Sequence, residues 1–210
     1  KGDYRTPERT VPSEPFTGLT EACQSVGVQA WGYRADEDYY SHRFLMESVD
    51  RIMTRGGNYL LNAGPMPDGS FPAEAEESVR AVGNWYKKVR ESYLDTEFVY
   101  HKDIPYGMTR KENCLYVHFN DAYLVSGLNF PTLSVLPKSA RLLNRDTDLS
   151  CALELMPTSF KPGKPLKESL HVYGIPSEAL LDEPIVLELQ FEDMESVLRA
   201  LRERFEMLVL

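Results

Sequence analysis

Along residues 43–55, RFLMESVDRIMTR, the apolar side chains Leu45, Val49, Ile52 and Met53 recur at three- and four-residue steps with charges opposite, which predicts a helix packed by one face. Gly56-Gly57 is a helix-stopping pair, and NYLLNAG after it is almost continuously apolar, as parallel strands are when both faces are covered. Ahead of the helix, VGVQAWGY (26–33) reads as a short buried strand. Behind it, GPMPDGSFP is a turn cluster, with Asp68-Gly69 as the turn itself and Pro72 where a first helical turn tolerates it. Glu74, Glu76 and Glu77 then stand near the positive end of a helix dipole, and Val79, Val82, Tyr86 and Val89 predict a helix over about 73–91. Strand, helix, strand, helix with short joints is the signature of βα units on a parallel sheet.

The period changes after Tyr93. Leu115, Val117 and Phe119 alternate in NCLYVHF, and Ile185, Leu187, Leu189 and Phe191 alternate in IVLELQF, the period of strands with one covered face. Turn residues separate such runs, so 96–192 is expected to be an antiparallel β-sandwich. The end of the chain, 193–210, places Met194, Leu198, Leu201, Phe205 and Leu208 on one stripe. It is expected to be an amphipathic helix docked on the protein or on a partner. The fold class is therefore α/β plus all-β, with no internal repeat and no low-complexity linker.

Composition adds limits. Apolar residues at 42% and charged residues at 26% are ordinary for a globular chain. The 23 basic and 32 acidic side chains leave a formal charge of −9, which repels a phosphate backbone and argues against nucleic acid as a partner. No apolar run approaches the roughly 20 residues that span a bilayer. The first residue is neither Met nor set in a cleaved-signal context, so the chain is expected to be a piece of a longer protein. Cys23, Cys114 and Cys151 are odd in number and far apart, which excludes a metal-ligand spacing and a disulfide framework. They read as buried thiols, with a single bridge as the alternative.

In a parallel-sheet βα block the functional edge lies at the carboxyl ends of the strands. Trp31 and Tyr33 close the first predicted strand, Asn62 with Gly64-Pro65 closes the second, and GDYRTPE (2–8) enters just before them. Rings beside a carboxylate and amides suit a sugar, whose C–H faces stack while its hydroxyls take directed hydrogen bonds. On composition alone, Trp31 and Tyr33 are as well explained as rim or core aromatics, and Asn58 and Asn62 as residues that tie the strand to its loops.

GDYRTPE (2–8), EAC (21–23), WGY (31–33), GGNYLLNAGPMPDG (56–69) and VGNWYKKVRESYLDT, taken together, resemble the later part of the catalytic domain of the α-L-fucosidases, glycoside hydrolase family 29. The remainder, with YGMTRKENCLYVHF and SARLLN, is similar to the β-sandwich that follows the barrel in that family. The resemblance implies the C-terminal portion of a (β/α)8-like barrel over 1–95, a β-sandwich over 96–192 and an added helical tail over 193–210. It implies a retaining exo-hydrolase for terminal α-linked L-fucose on an oligosaccharide or glycoprotein glycan, without cofactor or metal, in a secreted, periplasmic or lysosomal setting.

Such chemistry uses two carboxylates about 5–5.5 Å apart, one as nucleophile and one as acid and then base. By its match to the TPE position, Glu8 is the acid/base candidate, with Glu14 and Glu21 as alternatives. Trp31 corresponds to the aromatic lining the niche for the fucose methyl group, with Tyr33 beside it. Position 20 is Thr where the family carries Trp before the glutamate. The family's nucleophile lies in a Trp-x-Asp context, and neither Trp31 nor Trp85 has an Asp two residues later. His42, His101, His118 and His171 lie outside the family's sugar-binding positions. A barrel needs all its strands to close, so the others are expected from the N-terminal part of a longer protein or from a partner, a second copy included.

Overall fold

A computed structural model describes residues 3–11, 14–100, 104–120, 126–131, 133–157 and 165–206. Its first part is built on three parallel segments. β1 (Glu21–Ser25) pairs with β2 (Asn58–Asn62), Glu21 opposite Asn58 and Ser25 opposite Asn62. On the other edge of β1, Arg5 bridges Thr20 and Glu8 bridges Cys23, both in parallel sense. The N–H groups of Glu21, Cys23 and Arg9 donate to the carbonyls of Arg5, Pro7 and Cys23, each at 2.9 Å. Parallel pairing demands a crossover, and α1 (His42–Met53) supplies it, capped by Ser41, whose hydroxyl accepts from the Phe44 N–H. Gly56, at φ +80°, turns the chain into β2.

The sequence places β1 later than the structure does. The strand is EACQS, and VGVQAWGY is a loop folded on residues 38–40, with Gly27 bridging Tyr39 and the Val28 N–H donating to Asp38. Strand character here comes from partners on both sides of 21–25, which local apolarity does not reveal. β2 likewise departs from a strand covered twice. Tyr59 and Leu61 pack toward the helices, whereas Leu60, on the opposite face by strand alternation, is 41% exposed. In α2 (Ala73–Val89) the buried stripe runs through Ala75, Ser78, Val82, Trp85 and Val89, leaving Val79 in solvent. The indole of Trp85 decides that face, and its Nε1–H donates to the Pro184 carbonyl at 3.1 Å.

The second part is a sheet ordered β3-β4-β5-β10-β7-β8-β9-β6, antiparallel throughout. Its strands are β3 (Glu97–Phe98), β4 (Gly107–Lys111), β5 (Cys114–Phe119), β6 (Gly127–Phe130), β7 (Ser139–Leu142), β8 (Thr147–Pro157), β9 (Leu166–Tyr173) and β10 (Ile185–Gln190). β8 pairs with β7 through Leu149 and with β9 from Ser150 onward. That handover folds the sheet on itself, so that Met108, Leu115, Val117, Leu187 and Leu189 share one core with Leu128, Phe130, Leu170 and Val172. β5 is buried on both faces because Cys114 and Tyr116 point the other way, into the cluster formed by α1 and α2.

α3 (Met194–Glu206) starts at Asp193, whose carboxylate accepts from the Glu195 and Ser196 N–H groups. Met194, Val197 and Leu201 are buried in the sandwich core with Leu198 packed against it, so the helix docks on its own chain. The Phe205 side chain, Leu208 and His101 lie outside the described residues. All three cysteines are free, and Cys114 alone is buried, with Cys23 and Cys151 half-exposed. Among the described residues no helix is long and apolar enough to cross a membrane.

Candidate functional site

Three parallel segments put their carboxyl ends on one rim. Paired residues on neighbouring strands point to the same face, so Glu8, Cys23 and Leu60 form one row. Glu21 lies two residues earlier on β1 on that same face, about 6.6 Å along the strand at 3.3 Å per residue. The Cys23 thiol registers the arrangement: partial burial raises its pKa, and the negative charges of Glu21 and Glu8 raise it further. Glu8 ends its strand, because Arg9 takes a left-handed backbone, φ +53°.

That turn delivers Arg9 onto the next element. Its guanidinium carbon stands 4.7 Å from the centroid of the Trp31 ring, within cation–π range, and its Nη1–H donates to the Val28 carbonyl. The Asn62 side-chain amide at the end of β2 donates to the Trp31 carbonyl at 2.6 Å. The Ser25 hydroxyl at the end of β1 donates to the Ala30 carbonyl at 3.1 Å. Gly64 allows the two loops to touch, since a Cβ there would lie 2.5 Å from the Tyr33 nitrogen. Trp31 and Tyr33 nevertheless stay 37% and 42% exposed. Arg9 is the residue sequence reasoning passes over, because nothing local marks it as facing an indole more than twenty positions away.

Glu14 belongs to the opposite end. It accepts a 2.6 Å hydrogen bond from the Tyr100 hydroxyl, and the neighbouring Phe16 N–H donates to the carbonyl of Arg55, which precedes β2. Of the histidines, His118 is wholly buried against Asp50, and His171 on β9 contacts Glu154 at 2.9 Å. Among the described residues no group of three or more His, Cys, Asp or Glu side chains is placed to hold a metal ion. The rim thus combines a carboxylate with a cation-backed indole whose loop is held by an amide, which suits proton transfer to a sugar oxygen beside a stacked ring.

Residues 1–91 match the sequence model of the family described as Alpha-L-fucosidase. Over 98 residues the chain is 32% identical to the plasma alpha-L-fucosidase of Rattus norvegicus, covering 45% of this chain and 21% of that protein. Over 87 residues it is 37% identical to the tissue alpha-L-fucosidase of Bos taurus, covering 40% of this chain and 19% of the relative. The chain therefore spans about a fifth of the length of these curated relatives. Among solved structures, alpha-L-fucosidase isoenzyme 1 from Paenibacillus thiaminolyticus superposes with a TM-score of 0.72 at 25% identity, over 91% of this chain and 46% of that one. The relation to the α-L-fucosidases expected from the motifs is thereby shown, and the structural likeness extends beyond the matched segment into the antiparallel sheet.

Proposed function

We propose that this chain supplies the closing strands of a (β/α)8-like barrel, over 1–95, and the following β-sandwich, over 96–192, of an enzyme that releases terminal α-linked L-fucose from oligosaccharide or glycoprotein glycans. Of the tail expected over 193–210, Met194–Glu206 form a helix on the sandwich. The observation that carries this reading is the shared rim: Glu8 ends one parallel strand, and the very next residue, Arg9, lies over Trp31.

In the retaining mechanism, Glu8 protonates the glycosidic oxygen as a second carboxylate attacks the anomeric carbon, and then deprotonates the water that releases fucose. Trp31 offers an apolar wall to the fucose methyl group, with Tyr33 beside it. Glu21 faces the same side deeper along the strands and is the alternative acid/base. Glu14, at the far end of the strands, is the less favoured one. No Trp-x-Asp occurs in these 210 residues, so the nucleophile comes from outside them, and the chain carries the acid/base half of the site.

A second reading is a noncatalytic carbohydrate-binding or assembly module, favoured by the same missing motif and by the open inner face at Leu60. Hydrolysis of 4-nitrophenyl α-L-fucoside separates the two. The chain alone is expected to be inactive, and the completed barrel active, with Glu8→Gln lowering its rate about 10²-fold or more. An unchanged rate in Glu8→Gln would remove the acid/base assignment. An inactive completed barrel that still binds L-fucose would establish the module.

A further inference from the structure

The segment that presents Trp31 is held by a carboxylate with no part in the chemistry above. Glu37 lies at the base of the loop, and its two oxygens accept from consecutive backbone N–H groups, Oε1 from Gln29 at 2.7 Å and Oε2 from Ala30 at 3.1 Å. These are the two residues immediately before Trp31. Fork-like acceptance by an ionised carboxylate is among the stronger hydrogen-bonding arrangements, and it fixes the direction of the peptide planes it grips.

The surroundings are arranged for that grip. Gly27 is buried directly against the Glu37 side chain, and a Cβ there would lie 2.7 Å from the carboxyl carbon. A side chain at 27 would therefore displace the Glu37 carboxylate from the position in which it meets the loop. Next to it, the Gln29 side chain makes a reciprocal pair with Asp38, accepting from its backbone N–H at 2.8 Å and donating to its carboxylate at 2.5 Å. The space behind the loop, lined among others by Gly27, Ala30, Tyr33 and Glu37, is about 10 Å³, room for roughly one water. The N–H groups leading into Trp31 are thus received from one side, and its own carbonyl is held by Asn62 from the other.

We propose that Glu37 is the positioning residue for Trp31, setting the orientation in which the indole meets the sugar through the Gln29 and Ala30 amides. The sugar contact rests on the reading given above, whereas the hold on the indole does not. Trp85 is 1% exposed, so solvent quenching of tryptophan emission reports on Trp31, and Trp31→Phe should abolish the quenchable component. In the 210-residue chain, Glu37→Gln and Gly27→Ala should each raise the acrylamide quenching constant of that component at least twofold and lower its anisotropy, with the far-ultraviolet circular dichroism unchanged. Quenching and anisotropy equal to the parent in both variants would overturn the proposal. L-fucose at millimolar concentration, added to the parent, tests the other reading separately: protection of Trp31 supports a sugar-facing ring, whereas no protection together with loosening in Glu37→Gln leaves the positioning role standing and removes the sugar.

Discussion

Asp50 of α1 and His118 of β5 meet at 2.7 Å, carboxylate to Nδ1, with both side chains wholly out of solvent although 68 positions separate them. The other donors to Asp50 are the Tyr93 hydroxyl at 2.6 Å and the Asn120 amide at 2.7 Å. His118 Nε2 lies 3.3 Å from the Thr109 hydroxyl, which donates on to the Ser92 carbonyl. One carboxylate therefore fastens the helical layer of the parallel strands to the outer face of the sandwich.

Removing it should be costly, since the buried His118 and Tyr93 donors and the half-buried Asn120 amide would lose their acceptor at once. Asp50→Ala is expected to lower unfolding stability by about 3–5 kcal/mol, the usual result of breaking a buried pair from one side. Equilibrium urea denaturation followed by tryptophan emission and by circular dichroism measures it. A loss under about 1 kcal/mol would mean that water replaces the missing acceptor and that the network contributes little.

The same carboxylate sets a pH dependence. Burial acts most strongly on Asp50 and acts upward, but the attraction of His118 and the hydrogen bonds from His118, Tyr93 and Asn120 outweigh it, so the folded carboxyl titrates below its ordinary value. A depressed folded value means the unfolded chain takes up the proton first. The contribution is therefore complete above the unfolded value, about pH 4, and is lost as pH falls through the folded one. Urea midpoints between pH 6 and pH 2.5 should fall more steeply for the parent than for Asp50→Asn. Parallel curves would show that other carboxylates carry the acid sensitivity.

Gly64 offers a test of the rim itself. A Cβ there would meet the Tyr33 nitrogen at 2.5 Å and the Gly32 oxygen at 2.6 Å, backbone atoms that cannot swing aside. Gly64→Ala should displace the Trp31 loop, costing about 1–3 kcal/mol and changing the near-ultraviolet dichroism of tryptophan. Gly18→Ala is the control, because nothing lies within 4 Å of its added Cβ, and it should fall within about 0.5 kcal/mol of the parent.

What the amino-acid order discloses follows from how local each feature is. α1, β5 and β10 announce themselves through periodicity, a packed stripe in the helix and an alternating apolar face in the strands, although the helices cover the second face of both strands as well. β1 does not, because EACQS owes its strand character to Arg5, Pro7 and the residues of β2, none of which is near in sequence. Asp50 reads as one of the solvated charges of an amphipathic helix, and only the arrival of β5 shows that its face is covered. At the rim, Glu8 and Trp31 are visible through motif resemblance, while Arg9 and Glu37 look like ordinary surface charges, because their partners are a ring and two amides brought close by the turn of a loop.

The three thiols can report where Glu8 points without any catalytic assay. Burial lifts Cys114 to about 12 and Cys151 to about 11, the first also through the nearby charge of Glu188. Cys23 is raised by partial burial and then by Glu21 and Glu8. Iodoacetamide attacks the thiolate, so alkylation at pH 8 followed by peptide mass spectrometry should label Cys23 first and Cys114 last. Glu8→Gln removes one of the negative charges that disfavour the Cys23 thiolate, so its alkylation should quicken a few-fold while Cys151 is unchanged. Equal Cys23 rates in parent and variant would mean that the Glu8 carboxylate does not project from the face that carries Cys23 and Leu60, and the acid/base candidate would then lose the geometry on which its assignment stands.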